Sequence, residues 1–259
     1  MDLFAFDPQT LMSFLLTLFR ISLLVFLLPF FGGDNIPTQA KAALCLVMTL
    51  ALHPALSFPG ALFPAHPFSI ALMLLGELLL GLILGLAVRF VFGAIQTGGQ
   101  LIGFQMGYAM VNVVDPDSGT SEAVTAHFLY MVALLIFLTL DGHLYLLRAL
   151  SRSFELVPPG GLLISGRLAG EILTLSGQLF ILAIRIAAPI IAVLFLVDLA
   201  LALVGRAAPQ MNVLILGFPL KISVGFFFLG SLFTIMAMYM RDYILGLDAL
   251  FLNLLRLAR

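Results

Sequence analysis

Cysteine is nearly absent from this sequence, and charge is scarce. The one cysteine, Cys45, has no second thiol in the chain with which to form a disulfide, and His53, His66, His127 and His143 show none of the Cys/His spacings that hold a structural metal. Lys and Arg total 12 against 13 Asp and Glu. That balance offers no basic patch to nucleic acid and no acidic tail to act as a solvating arm. A basic signal-peptide start is also missing. Asp2 and Asp7 precede the first apolar run and Arg20 lies inside it, so this segment is expected to stay in the mature protein. Neither H-E-x-x-H nor G-x-S-x-G occurs, and Asp141 and His143 in "LDGHLY" stand without a supporting constellation. No catalytic residue, metal or cofactor is expected.

Apolar length is what the chain has. Hydrophobic residues make up 62% of it and charged ones 10%, a composition outside that of soluble domains. With a mean hydropathy of +1.18 it reads as an all-α integral membrane protein. Runs near 11–31, 42–58, 68–95, 123–147, 172–204 and 222–240 are the candidate spans, since about 18 apolar residues suffice to cross a bilayer. Between them, "PFFGGDNIPTQAK" at 29–41 carries helix breakers and water-seeking groups and reads as a turn or hinge. Pro54, Pro59, Pro64 and Pro67 make 53–67 a connector, with His53 and His66 as loop residues. The Pro/Gly-rich gap at 155–171 divides the chain into halves, 1–165 and 166–259. The second half reads as a helical hairpin with a tip at 204–219, a kink at Pro189, and Pro219 in the first turn of the returning arm.

Arg20, Glu77, Arg89, Arg185, Asp198 and Lys221 lie in or at the ends of apolar runs, where a charge facing lipid costs roughly 2.5 kcal/mol or more. At about 100° per residue, Glu77 and Arg89 do not share a helix face, nor do Arg185 and Asp198. Their partners therefore lie on other helices or other chains. Two readings stay open: interhelical or intersubunit locks, or an ion path. Gly81 and Gly85, then Gly99, Gly103 and Gly107, recur every four residues and lay bare backbone along a helix stripe, expected to pack mainly against other subunits. After Gly107 the stripe stops. "YAMVNVVDP" has no helical punctuation, and Ser118 or Thr120 is placed to cap the next helix. The stretch 103–119 thus reads as a helix end, an apolar loop and a new helix start. At membrane depth such a loop must be buried by protein or line a cavity.

Three stretches in order, "PFFGGDNIPTQAK" at 29–41, "GFQMG" with "DPDSG" within 103–119, and "RAAPQMNVLILGFPLKISVG" at 206–225, resemble the FliR family of flagellar type III export-gate components and its virulence-secretion counterparts. The second half is also similar to the small Q component of the same gate, through Ala188-Pro189, Gln210, Asn212, Leu214, Phe218, Pro219, Lys221 and Ile222. It departs at Val213, where the Q pattern usually carries an acid, and in "FPLK". The resemblance implies bent helical hairpins, a P-like first half fused to a Q-like hairpin. It also implies assembly with P-type and Q-type subunits in the bacterial inner membrane, at the flagellar basal body, around a pore for unfolded flagellar proteins. An ATPase and the proton-motive force, supplied elsewhere, would drive export. By the same resemblance, Gly103, Phe104, Gln105, Met106, Gly107, Tyr108, Met110, Val111, Val113 and Val114 belong to a plug that holds the pore shut. Arg206, Gln210, Asn212, Phe218, Pro219 and Lys221 would form a hairpin tip that meets the B-type switch protein. Arg206 and Lys221, with no acid between residues 199 and 241, turn that tip toward the cytoplasm. A secondary transporter with an intramembrane charged site is the rival reading, because broken helices and buried charges also mark substrate sites.

Overall fold

The structure, a computed structural model, describes residues 8–31, 36–56, 66–107, 123–210 and 212–259. Among these residues every regular element is an α-helix: α1 (Pro8–Leu27), α2 (Thr38–Leu56), α3 (Pro67–Met106), α4 (Val124–Thr139), α5 (Gly142–Leu156), α6 (Gly166–Ala207) and α7 (Val213–Leu257). Four of them, α1, α3, α6 and α7, are each long and apolar enough to cross a membrane. The chain is an all-α membrane protein.

The expected spans are found as helices, with different ends. The run 68–95 continues through its glycines to Met106, giving a helix of 40 residues. Beyond residue 95 its glycines do not end it: Gly98 is covered by Ala183 and Ile186 of α6, and Gly99 and Gly103 by the start of α4. The run 123–147 is broken instead. The break falls at Leu140-Asp141, with Asp141 at a φ of 56°. No side-chain cap precedes α4: Ala123 holds the cap position, and Ser118 and Thr120 lie outside the described residues. Run 42–58 forms α2 from Thr38, but α2 is not among the four helices that qualify as spans. In the second half the returning arm begins at Val213, so Pro219 sits inside α7, not in its first turn, and the tip shrinks from 204–219 to 208–212. The helix also runs through Pro189. A bundle can accept such prolines when neighbours re-satisfy the freed backbone groups.

The chain forms two compact units, each discontinuous in sequence: residues 1–89, 141–175 and 245–259 in one, and 90–140 and 176–244 in the other. The first takes residues from both sides of position 165.

In the first unit α1 lies along α3 in parallel. Gly81 meets the backbone at Arg20 and Leu24, and Gly85 meets Leu27, so the partner number rises with the glycine number. A methyl at Gly85 would stand 2.7 Å from the Leu27 side chain, and one at Gly81 would run into the Arg20 carbonyl oxygen. Only bare backbone permits this approach. Helix α5 is amphipathic. It buries Leu146, Ala149, Leu150, Ser153 and Phe154, spaced three and four apart, while Arg148, Arg152 and Glu155 face outward. The stretch 157–165 that follows is a strap, not a slack linker. Val157 accepts from Arg20, the Gly160 N–H reaches Glu77, and the Leu163 N–H donates to Ala258. Ser165 Oγ accepts from the Leu168 N–H, capping α6, and donates to the Leu257 carbonyl near the end of α7.

In the second unit the last part of α3 runs antiparallel to α4. Gly99 packs on the Ala126 backbone, Gly103 on Ala123 and Thr125, and Phe92 stacks edge-on against Tyr130 and Phe137. The Thr125 hydroxyl donates to the Gly99 carbonyl at 2.8 Å. Here α6 and α7 form an antiparallel hairpin, pairing 198 with 221, 201 with 217, and 205 with 213. The glycines therefore seat helices of the same chain, where sequence reasoning expected mainly other subunits. Gly107 is no member of the stripe. It has a φ of 97° and faces Phe218 of α7.

Candidate functional site: the end of helix α3 against the α6–α7 hairpin

The six charges in apolar runs separate into three groups. Arg20 and Glu77, in the first unit, form an ion pair with Nε to Oε2 at 2.5 Å and side chains 0% and 1% exposed. The guanidinium also donates to Ser153 Oγ (3.1 Å) and the Val157 carbonyl (3.0 Å), and it sits 4.1 Å from the centre of the Phe154 ring. Each of its three nitrogens donates inside the unit, and the arrangement ties α1, α3, α5 and the strap together. Arg89 and Arg185 are exposed and make no ion pair among the described residues. Asp198 and Lys221, in the second unit, form the third group.

That last pair lies where three helices meet. Lys221 Nζ is 2.9 Å from Asp198 Oδ1 and 3.0 Å from Oδ2. Gln105, in the final turn of α3, donates from Nε2 to the same Oδ2 at 3.0 Å. Next to Gln105, Met106 is fully buried with its side chain against Gly225 of α7. Gly107 then ends the helix. Its N–H closes a tight last turn on the Phe104 carbonyl at 3.1 Å, and its positive φ is a conformation that glycine adopts without strain. The Phe218 ring occupies the space a side chain at 107 would need: a methyl there would be 2.8 Å from it. Beside the ion pair opens a cleft of about 290 Å³ lined by Leu201, Ala202, Val213, Gly217 and Phe218.

Of the expected plug residues, Gly103 to Gly107 are thus placed, and only Phe104 among them points outward, 59% exposed. Tyr108, Met110, Val111, Val113 and Val114 lie outside the described residues. Of the expected tip residues, Arg206, Gln210, Asn212 and Pro219 are exposed. Phe218 and Lys221 turn inward, to Gly107 and Asp198. Sequence reasoning missed the partners Ser153, Phe154 and Thr125. Ser153 and Phe154 carry only the ordinary signal of a buried helix face, and Thr125 carries none.

A comparison with protein families matches residues 11–247 to the bacterial export proteins, family 1. The flagellar biosynthetic protein FliR of Escherichia coli (strain K12) is 34% identical, over 85% of this chain and 84% of that protein. The chain belongs to the FliR family. FliR of Bacillus subtilis (strain 168) is likewise 34% identical, over 84% of each chain, and FliR of Aquifex aeolicus (strain VF5) is 32% identical, over 85% and 84%. This FliR-family chain is accordingly a membrane component of flagellar biosynthesis and export, and the secondary-transporter reading gives way to it.

Proposed function

We propose that this chain is a core subunit of the flagellar type III protein-export gate, forming with P-type and Q-type subunits a gated pore for unfolded flagellar proteins across the inner membrane. Its first half, 1–165, is the P-like part and 166–259 the Q-like hairpin. The segment from Gly103 to Val114 is the plug, and the exposed tip residues Arg206, Gln210, Asn212 and Pro219 meet the B-type switch protein. The observation that carries the reading is the construction of the plug's base. The end of α3 is held by α4 through Gly103 and by the hairpin through Gln105, Met106 and Gly107. The chain then leaves the helix at a glycine with positive φ. A firm base under an apolar segment is what a seal needs. Burying one Val or Met side chain is worth roughly 1.5–3 kcal/mol, so several hold a pore shut yet yield to an entering chain.

The test is deletion of Tyr108–Val114 in cells that still contain intact assemblies of this chain with its P-type and Q-type partners, followed by measurement of small-solute leak. Leak is expected to rise with assembly preserved. Intact assemblies without added leak would overturn the plug assignment, and loss of the assembly would make the segment an ordinary buried part of the fold. The charges Arg89 and Arg185 are assigned to contacts with other subunits, because each is exposed within a helix otherwise fit for lipid.

A further inference from the structure

The ion pairs Arg20–Glu77 and Asp198–Lys221 both lie in apolar runs and differ in how closely they are enclosed. Arg20 and Glu77 are sealed. Asp198 is 39% exposed at its side chain and Lys221 17%, and an open cleft adjoins them. A sealed pair is a permanent joint, because parting it would strand two charges in an apolar interior. A pair that is only partly enclosed and borders a cleft can part at a lower cost, because the separated groups have room to find other polar partners.

Asp198 also has a second task. Its Oδ2 accepts from Lys221 Nζ and from Gln105 Nε2, each at 3.0 Å. Lys221 keeps the carboxylate in place from the returning arm of the hairpin, while Gln105 belongs to the last turn of α3, two residues before Gly107. One oxygen therefore couples the hairpin to the turn from which residues 108–114 depart. The other anchors of this turn are apolar or steric: Met106 on Gly225, Phe218 against Gly107. Neither depends on charge.

We propose that Asp198 is a positioning residue of the gate, a reversible latch that fixes the final turn of α3 through Gln105 and is itself fixed by Lys221. This rests on the gate reading above. Asp198 touches no exported chain in this role; it acts through Gln105. A hydrogen bond to a charged acceptor shifts an equilibrium by about tenfold or more, and solvent exposure places this one at the low end of that range.

The test compares Asp198→Asn, Gln105→Met, the double variant and Asp198→Glu with the Tyr108–Val114 deletion, in cells carrying the whole assembly. Leak is normalised to assembled complex, and hydrogen exchange at amides 103–107 is followed in the purified assembly. Leak per assembly is expected to rise about tenfold in Asp198→Asn and in Gln105→Met. The double variant should rise no further than Asp198→Asn alone, because that change already removes the charged acceptor on which Gln105 depends, together with the partner of Lys221, and Asp198→Glu should restore much of the seal. Exchange at 103–107 should quicken in both single variants. Fewer assemblies with unchanged leak per assembly would show a merely structural role and overturn the latch. So would additive effects in the double variant. If Asp198→Asn fails to assemble, Gln105→Met decides alone: unchanged exchange at 103–107 refutes the proposal. A leaking deletion beside tight latch variants sinks the latch and leaves the gate reading standing. A tight deletion sinks the gate reading, and exchange at 103–107 then still decides the latch.

Discussion

Replacing Glu77 by leucine keeps the volume at that position roughly constant and removes the charge that answers Arg20. The guanidinium would then remain 0% exposed, with two hydrogen bonds and the Phe154 ring but no counter-charge. Breaking a buried pair from one side costs about 3–5 kcal/mol. The bonds to Ser153 and Val157 survive, so a loss of about 3 kcal/mol is expected, about two powers of ten in the folded fraction. The exposed Gly160 N–H, which donates to Glu77 Oε1 at 3.4 Å, also loses this acceptor, at little further cost. The informative partner is the double variant Arg20→Met with Glu77→Leu, which removes both charges and leaves apolar groups of similar size. Buried pairs replaced in this way are often neutral or stabilising, so the double variant should recover most of what the single loses. The assay is the thermal stability of the purified assembly in detergent, together with the amount of the subunit retained in membranes. A single variant as stable as wild type would refute the reasoning. A double variant no better than the single would show that the specific hydrogen bonds, not the stranded charge, dominate.

Two further expectations follow from the helix contacts and the tip. Gly81→Ala places a methyl against the Arg20 carbonyl, 3.1 Å from Leu23 Cβ and 3.3 Å from the Leu24 nitrogen; backbone cannot give way as a side chain does, so stability should fall by about 1–3 kcal/mol. Gly170→Ala, where nothing lies within 4 Å, should leave stability unchanged or raise it by up to about 1 kcal/mol, and equal effects of the two in one melting series would contradict the close packing of α1 on α3. A cysteine at Asn212, in a Cys45→Ser background, should be labelled only after the cytoplasm is opened, and labelling from the periplasmic side of intact cells would reverse the orientation drawn from the tip. Lys221 is neutralised by Asp198, so that orientation now rests on Arg206 alone.

Much of the architecture was legible because apolar length is a local property. The hairpin, the gap before residue 166 and the end of a helix at Gly107 were all visible in residue order. Ends controlled by packing were not. The apolar run read as ending near 95, yet α4 covers Gly99 and Gly103 and the helix continues to Met106. Pro219 read as a helix start, but α7 begins at Val213 and runs through it. Charge pairing was the least legible feature. Arg20 finds Glu77 57 residues away, and Gln105 finds Asp198 93 residues away. No periodicity within one helix can announce a partner on another, so Asp198 could be flagged as anomalous but not as a shared acceptor. The assignment of residues 108–114 to a plug came from family resemblance, since an apolar stretch without helical spacing carries no instruction about what it covers.

The length of the helices has a consequence for handling the isolated protein. With α3 at 40 residues, α6 at 42 and α7 at 45, each measures roughly 60 Å or more at about 1.5 Å per residue. Even at a steep tilt of about 40°, a 60 Å helix still rises through about 46 Å, against a hydrocarbon layer of about 30 Å. About a third of such a helix must therefore stand outside the oily layer. On α6 the outward residues include Leu173, Phe180, Phe195 and Leu203, spread along most of its sequence. A detergent belt of bilayer thickness cannot hide all of them at once, so a lone copy taken from the membrane carries a sticky, water-facing strip whichever way it sits. Its solution behaviour should be governed by what covers that strip.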